Sequence, residues 1–136
     1  MPGTSVMKPV SVSVKGKDEN RHTMKRRKAA ATAAAVTQVQ LTAHAIVSEA
    51  REHLDNASRL PVSRTGELAS SLHVVRSADG LLANVRTLLD YGAYLEFGTR
   101  KMPAYPWLGP AARKHLAGFK ARIRLAIRHS LQGHSR

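Results

Sequence analysis

The chain has 136 residues, 22 Lys and Arg against 9 Asp and Glu, a formal net charge of +13 and no cysteine. That length suits one domain with a real but modest core, so oligomerisation is a plausible further source of stability. Lack of cysteine excludes a disulfide framework and a thiolate metal site. The N-terminus has no apolar stretch of signal-peptide type, and no run nears the roughly 18 apolar residues of a membrane span; a soluble product made inside the cell is expected.

Residues 1–18 contain Pro2, Gly3 and Pro9, then alternate as Val10-Ser11-Val12-Ser13-Val14. Such alternation fits an extended arm or an edge strand, one that a neighbouring subunit can order. From about Glu19 to Asn56, Val36, Val39, Ala43, Ile46, Val47, Ala50 and Leu54 recur at three- and four-residue steps. This predicts one long helix with a single apolar stripe. Its alanine-rich first half has high helix propensity and permits close helix approach. Lys25-Arg26-Arg27-Lys28 opposes the positive end of the helix dipole and calls for fraying or an anionic partner.

Residues 57–65 read as a loop, with Pro61 preventing helix continuation. Thr65 can cap a short helix over Gly66–Leu72. His73–Arg76 and Leu81–Thr87 flank Ser77-Ala78-Asp79-Gly80, and Asp-Gly between apolar runs predicts an antiparallel hairpin. Asp90 is placed to cap a short helix that ends at Gly98. Thr99–Pro106 reads as a basic, proline-bearing loop. Pro110 marks the first turn of a last helix reaching about Leu131, in which Leu108, Ala112, Leu116, Phe119, Ile123 and Ile127 form an amphipathic face. The class is α+β: long N-terminal helix, short helix, small antiparallel sheet, short aromatic helix and C-terminal amphipathic helix. Residues 1–18 form the arm and 19–136 the single domain.

Five of the six aromatic residues (Tyr91, Tyr94, Phe97, Tyr105 and Trp107) fall within Tyr91–Trp107, and Phe119 follows. Large rings dominate both cores and interfaces. Tyr91, Tyr94 and Phe97 are expected to fill the core with Leu116, Phe119 and Ile123. Tyr105 and Trp107 flank Pro106 on a loop; with Thr99, Arg100, Lys101, Met102 and Pro103 they are candidates for subunit contacts.

No acidic residue follows Glu96, yet nine Lys and Arg do. On one continuous helix Arg113, Lys120, Arg124 and Arg128 share a flank suited to tracking phosphates without reading bases. The plain alternative is a solvated helix face. None of the seven histidines belongs to an H-E-x-x-H motif or a close ligand cluster, so no metal is expected. There is no nucleophile elbow, phosphate-binding glycine loop or paired carboxylate. Glu96, followed by Arg100 and Lys101, is expected to form a local ion pair that shapes the loop. Neither an enzymatic activity nor a cofactor is anticipated.

Tyr91-Gly92-Ala93-Tyr94-Leu95-Glu96-Phe97-Gly98-Thr99, then Lys101-Met102-Pro103-Ala104, Pro106-Trp107-Leu108 and Pro110-Ala111, closely resembles a hallmark of phage neck proteins. These are the head–tail joining or tail-completion proteins of long-tailed bacteriophages and prophages. Thr65-Gly66-Glu67-Leu68-Ala69-Ser70-Ser71-Leu72 after Pro61 is similar to a second element of that family. The departures are Leu95 for valine, Arg100 for serine and Trp107 for phenylalanine, and residues 1–28 match nothing in the pattern. The resemblance implies a structural virion protein without catalytic residues, made in the bacterial host cytoplasm and located in the neck. It implies a homo-oligomeric ring, sixfold rather than twelvefold, touching other connector and tail proteins, with double-stranded DNA passing through its lumen. No membrane or small-molecule partner is implied. The rival reading from charge alone is a free, nonspecific nucleic-acid-binding protein, and the basic flank is the surface both readings would use.

Overall fold

The computed structural model describes residues 10–15, 25–57 and 62–132. The elements run β1 (Ser11–Lys15), α1 (Lys25–Asp55), α2 (Val62–Ser71), β2 (His73–Arg76), β3 (Leu82–Arg86), α3 (Asp90–Phe97), α4 (Gly109–Leu116) and α5 (Phe119–Gln132). The fold is α+β, as expected. The strands form an antiparallel sheet in the order β1-β3-β2. Val12 pairs with Val85 and Val85 with Val74, so one row of β-branched side chains crosses all three strands on the core face. The alternate positions Ser11, Ser13, His73 and Val75 are exposed. This is the half-buried pattern of a one-sided sheet.

Helix α1 packs against all three strands and against α2, α4 and α5. Its buried stripe is Ala31, Ala35, Val39, Ala43, Ile46, Val47, Ala50 and Leu54, spaced at three and four residues as the 3.6-residue turn requires. The hairpin turn lies against this helix: Gln40 Nε2 donates to the Gly80 carbonyl at 2.9 Å, and a Cβ on Gly80 would stand 2.8 Å from Val36 Cγ1. Gly80 has φ +76°, which favours glycine. Asp79 Oδ1 accepts from Ser77 Oγ at 2.6 Å and from the Leu81 amide at 3.0 Å.

The described part of the 1–18 segment is an edge strand, one of the two forms expected, paired with β3 of its own chain; residues 1–9 and 16–18, and the first turns predicted from Glu19 to Met24, lie outside the described residues. Three expectations are revised. Helix α2 begins at Val62, which puts Thr65 inside the helix, buried, and not at its cap. At the start of α3 it is Thr87 Oγ1 that takes a backbone proton, from the Leu89 amide at 3.1 Å; Asp90 is the first helical residue and complements the helix dipole from there.

The third revision is that the last helix is two. Ala117 is extended and Gly118 has φ +74°, and Arg122 donates to the Ala117 and His115 carbonyls that α4 leaves open. The apolar face survives the break because Leu116 and Phe119 are three residues apart across it.

The stripe of α1 separates stabilising from neutral positions. Ile46→Ala removes a fully buried side chain and is expected to cost about 2–5 kcal/mol in urea unfolding. Leu41→Ala, on the exposed face of the same helix, should stay within about 0.5 kcal/mol of wild type.

Candidate functional site

The motif segment folds back on its own chain, and one carboxylate closes it. Glu96, in the last turn of α3, accepts three backbone protons: Trp107 N at 3.0 Å and Leu108 N at 2.8 Å on Oε1, and Gly109 N at 3.1 Å on Oε2. These amides lie at the N-terminus of α4, where helix N–H groups have no internal partner and a negative charge is favoured. Leu108, at the N-cap position, supplies no capping side chain; Glu96 replaces it from 12 residues upstream. The expected ion pair of Glu96 with Arg100 or Lys101 is therefore corrected. Gly109 makes the approach possible, since a Cβ there would stand 2.6 Å from Glu96 Oε2.

Trp107 is the second fastening. It is 0% exposed, and its indole Nε1 donates to the Gly92 carbonyl at 2.9 Å. A Cβ on Gly92 would meet Thr87, Leu68 and Trp107 at 3.0–3.1 Å, so glycine is what lets the indole reach the helix. Tyr105 joins in with its amide donating to Leu95 O at 2.7 Å and its hydroxyl to His53 O at 3.2 Å. His53 Nδ1 lies 3.0 Å from Trp107 O; a carbonyl only accepts, so Nδ1 carries the proton. The turn is sealed by Thr99 N donating to Met102 O at 2.8 Å and by Gly98 at φ +79°.

The expected division between core and interface is thus reversed at three residues. Trp107, read as a loop contact for a neighbour, is core. Phe97 and Tyr94, read as core, are 72% and 38% exposed. The inward face of α3 is Gly92, Ala93 and Leu95, and the space that Gly92 leaves is taken by the Trp107 ring. The helix's own rings, at i and i+3, turn outward with Asp90. Tyr91 is half-buried, with the Arg64 guanidinium 5.3 Å from its ring centroid, a cation–π distance. Leu116, Phe119 and Ile123 face the core as expected. Of the loop candidates, Thr99, Arg100, Lys101 and Pro103 are exposed, while Met102 and Tyr105 pack against the core.

The basic flank is also divided. Lys120, Arg124 and Arg128 form an exposed stripe at four-residue steps on α5. Arg113 belongs to α4, its guanidinium beside Gly109 and the Glu96 carboxylate, so the break at Gly118 removes it from the stripe. A separate charged cluster ties α4 to α1. Glu49 Oε1 receives Lys114 Nζ at 2.7 Å and His115 Nε2 at 3.2 Å, with His53 Nε2 3.8 Å from Oε2. The Lys114 hydrogen bond, with further help from its charge and from His115, holds the Glu49 carboxyl below its ordinary 4.5 and raises Lys114. Among the described residues no group of three or more His, Asp or Glu is placed to hold a metal, and no helix is long and apolar enough to cross a membrane.

With this geometry in place, the comparisons with known proteins identify the class. The family model described as bacteriophage HK97-gp10, tail component, matches residues 17–98, from before α1 to the end of α3. The chain belongs to this HK97-gp10-like family of phage tail components. No curated protein and no solved structure matches it.

Three measurements test the site. Glu96→Ala leaves three amides without their acceptor and is expected to cost about 2–4 kcal/mol, with Glu96→Gln losing less because one oxygen remains. Trp107→Ala should cost about 3–5 kcal/mol in unfolding free energy, whereas Phe97→Ala leaves stability within about 0.5 kcal/mol. For Glu49 the folded carboxyl titrates below the unfolded one, so its contribution is complete above the ordinary 4.5 and is lost as pH falls through the folded value. The stability gap between wild type and Glu49→Gln should therefore narrow on acidification, and a gap that widens would contradict the pairing.

Proposed function

We propose that this tail-component chain is a structural subunit of the phage neck, and that it has no enzymatic role. In this reading it forms a homo-oligomeric ring, sixfold by resemblance, that joins the capsid connector to the tail and lets packaged DNA pass through its lumen. Membership of the tail-component family carries the reading. The motif supports it physically. Its glycines, Glu96 and Trp107 lock the segment within the subunit, and the aromatic side chains of α3 that are not needed for that core are left on the surface. A fixed surface with exposed rings suits docking, because little side-chain or loop entropy is lost on association. The high positive charge is compatible with a position next to DNA.

Two measurements test this. Native mass spectrometry of the purified chain is expected to give one closed assembly, with six subunits as the favoured count. In a phage lacking this gene, supplying the chain in trans should restore joined, infectious particles. A chain that stays monomeric yet binds duplex DNA tightly, with a steep loss of affinity between low and physiological salt, would instead establish the free nucleic-acid-binding reading.

A further inference from the structure

The outward face of α3 and the outward face of α5 differ in sign and match in chemistry. On α3, Asp90, Tyr94 and Phe97 occupy positions i, i+4 and i+7, all exposed, and Leu88, just before the helix, is 69% exposed. Side chains four and three apart share one face of a helix. Beside them an open notch between α2 and α3 is lined by Arg64, Glu67, Leu89, Asp90 and Tyr91. Arg64 is engaged with Tyr91, whereas Glu67 and Asp90 make no ion pair among the described residues. Aromatic rings rimmed by unpaired carboxylates form a surface suited to cations, because both the carboxylates and the ring faces attract them.

On α5, Lys120, Arg124 and Arg128 are exposed with Leu125 also exposed. None of the three cations has an ion-pair partner among the described residues. Long basic side chains carry apolar stems that cover aromatic surface while their heads reach charge. Helix α5 packs on α1 and α3 packs on α2, so the two faces belong to different parts of the surface.

From this complementarity we infer that the α3 face of one copy docks on the α5 stripe of a second copy. This rests on the proposal that the chain is a homo-oligomer, and it names the contact. Subunits of charge +13 repel one another unless the contact itself joins opposite signs, and this pair of faces does. The contact is heterologous: each copy uses one face toward one neighbour and the other face toward the next. Such contacts build rings when the rotation closes. In the neck the stripe then serves the neighbouring subunit and not DNA.

A mixing experiment tests the arrangement with two full-length variants whose changes lie on the surface. D90K/F97S removes the α3 face and leaves α5 intact; R124E/R128E does the reverse. Both should keep the wild-type circular dichroism and a single cooperative melt, with a small drop in midpoint for D90K/F97S because Asp90 complements the α3 dipole. In sedimentation velocity, wild type is expected to assemble, each variant alone to remain monomeric, and their equimolar mixture to form a 1:1 dimer and nothing larger. If either double variant loses its cooperative melt, the single variants F97S and R124E should each weaken association by about tenfold or more. Variants that assemble like wild type overturn the contact while leaving the ring reading intact, and so does a mixture of two monomeric variants that yields no dimer. If R124E/R128E assembles normally but loses affinity for duplex DNA, the stripe is a nucleic-acid surface and the inference fails. A wild-type chain that never self-associates removes the ring reading and this contact together.

Discussion

The hydrogen bonds that one carboxylate, Glu96, accepts from three consecutive amides determine where everything after α3 can go. Helix α4 begins with Gly109 and Pro110 and has no capping side chain of its own, so its first N–H groups need an acceptor from elsewhere. Once Glu96 supplies it, the chain between Gly98 and Trp107 must turn back across α3, and Trp107 is carried into the space above Gly92. The C-terminal end of α1 gains from the same closure, since His53 O, one of its last carbonyls, receives the Tyr105 hydroxyl. Two helix ends with opposite needs are thus satisfied by one loop.

That closure decides what α3 shows to solvent. An eight-residue helix has room for one inward face, and the indole takes it only if the facing residues are small. Gly92 and Ala93 meet that requirement, which leaves Tyr94 and Phe97 no place except outside. Exposed rings on a monomer of this size are then a consequence of how the core is filled, and their fixed positions follow from the rigidity of what lies beneath. The relation between the buried tryptophan and the exposed phenylalanine is direct: moving the first outward would open the cavity that the second would have to fill.

Much of this was legible in the sequence because the periodic signals are strong. The α1 stripe, the Asp79-Gly80 hairpin and the apolar face of the last segment all follow from spacing, and the order of the motif residues identified the family. The break between α4 and α5 also left a signal, Gly118 in the middle of a helical pattern, but an unbroken apolar face outweighed it. Which ring of the aromatic segment is buried was not legible from composition, because a tryptophan between prolines has the marks of a surface loop. The better cue was polar. The helix announced by Pro110 had no capping residue, and Glu96 was the nearest acid upstream, with none beyond it. Asking where those amides find their acceptor leads to the fold of the loop and from there to Trp107.

The charge distribution gives the same surfaces a second constraint. Because no acid follows Glu96 and Glu96 itself is spent on α4, the described part of the C-terminal third presents only cationic charge to solvent. From that third Glu49 answers Lys114 and His115, which neutralises the seam between α1 and α4 and does nothing for α5. A basic helix in that position needs anions from outside the subunit. Duplex DNA can provide them at any register, since phosphates recur along the backbone without regard to sequence. In the contact inferred above, a neighbouring subunit would provide them at one register only, set by Glu67 and Asp90 beside the α3 rings. A ring requires that fixed geometry at every joint, because a contact that slides does not close. The rings add what charge lacks. Salt screens charges separated by more than about 10 Å, while the inferred burial of Phe97 and Tyr94 against basic side-chain stems would be less sensitive to it. A contact built from both keeps its register through the charges and its strength through the aromatic area.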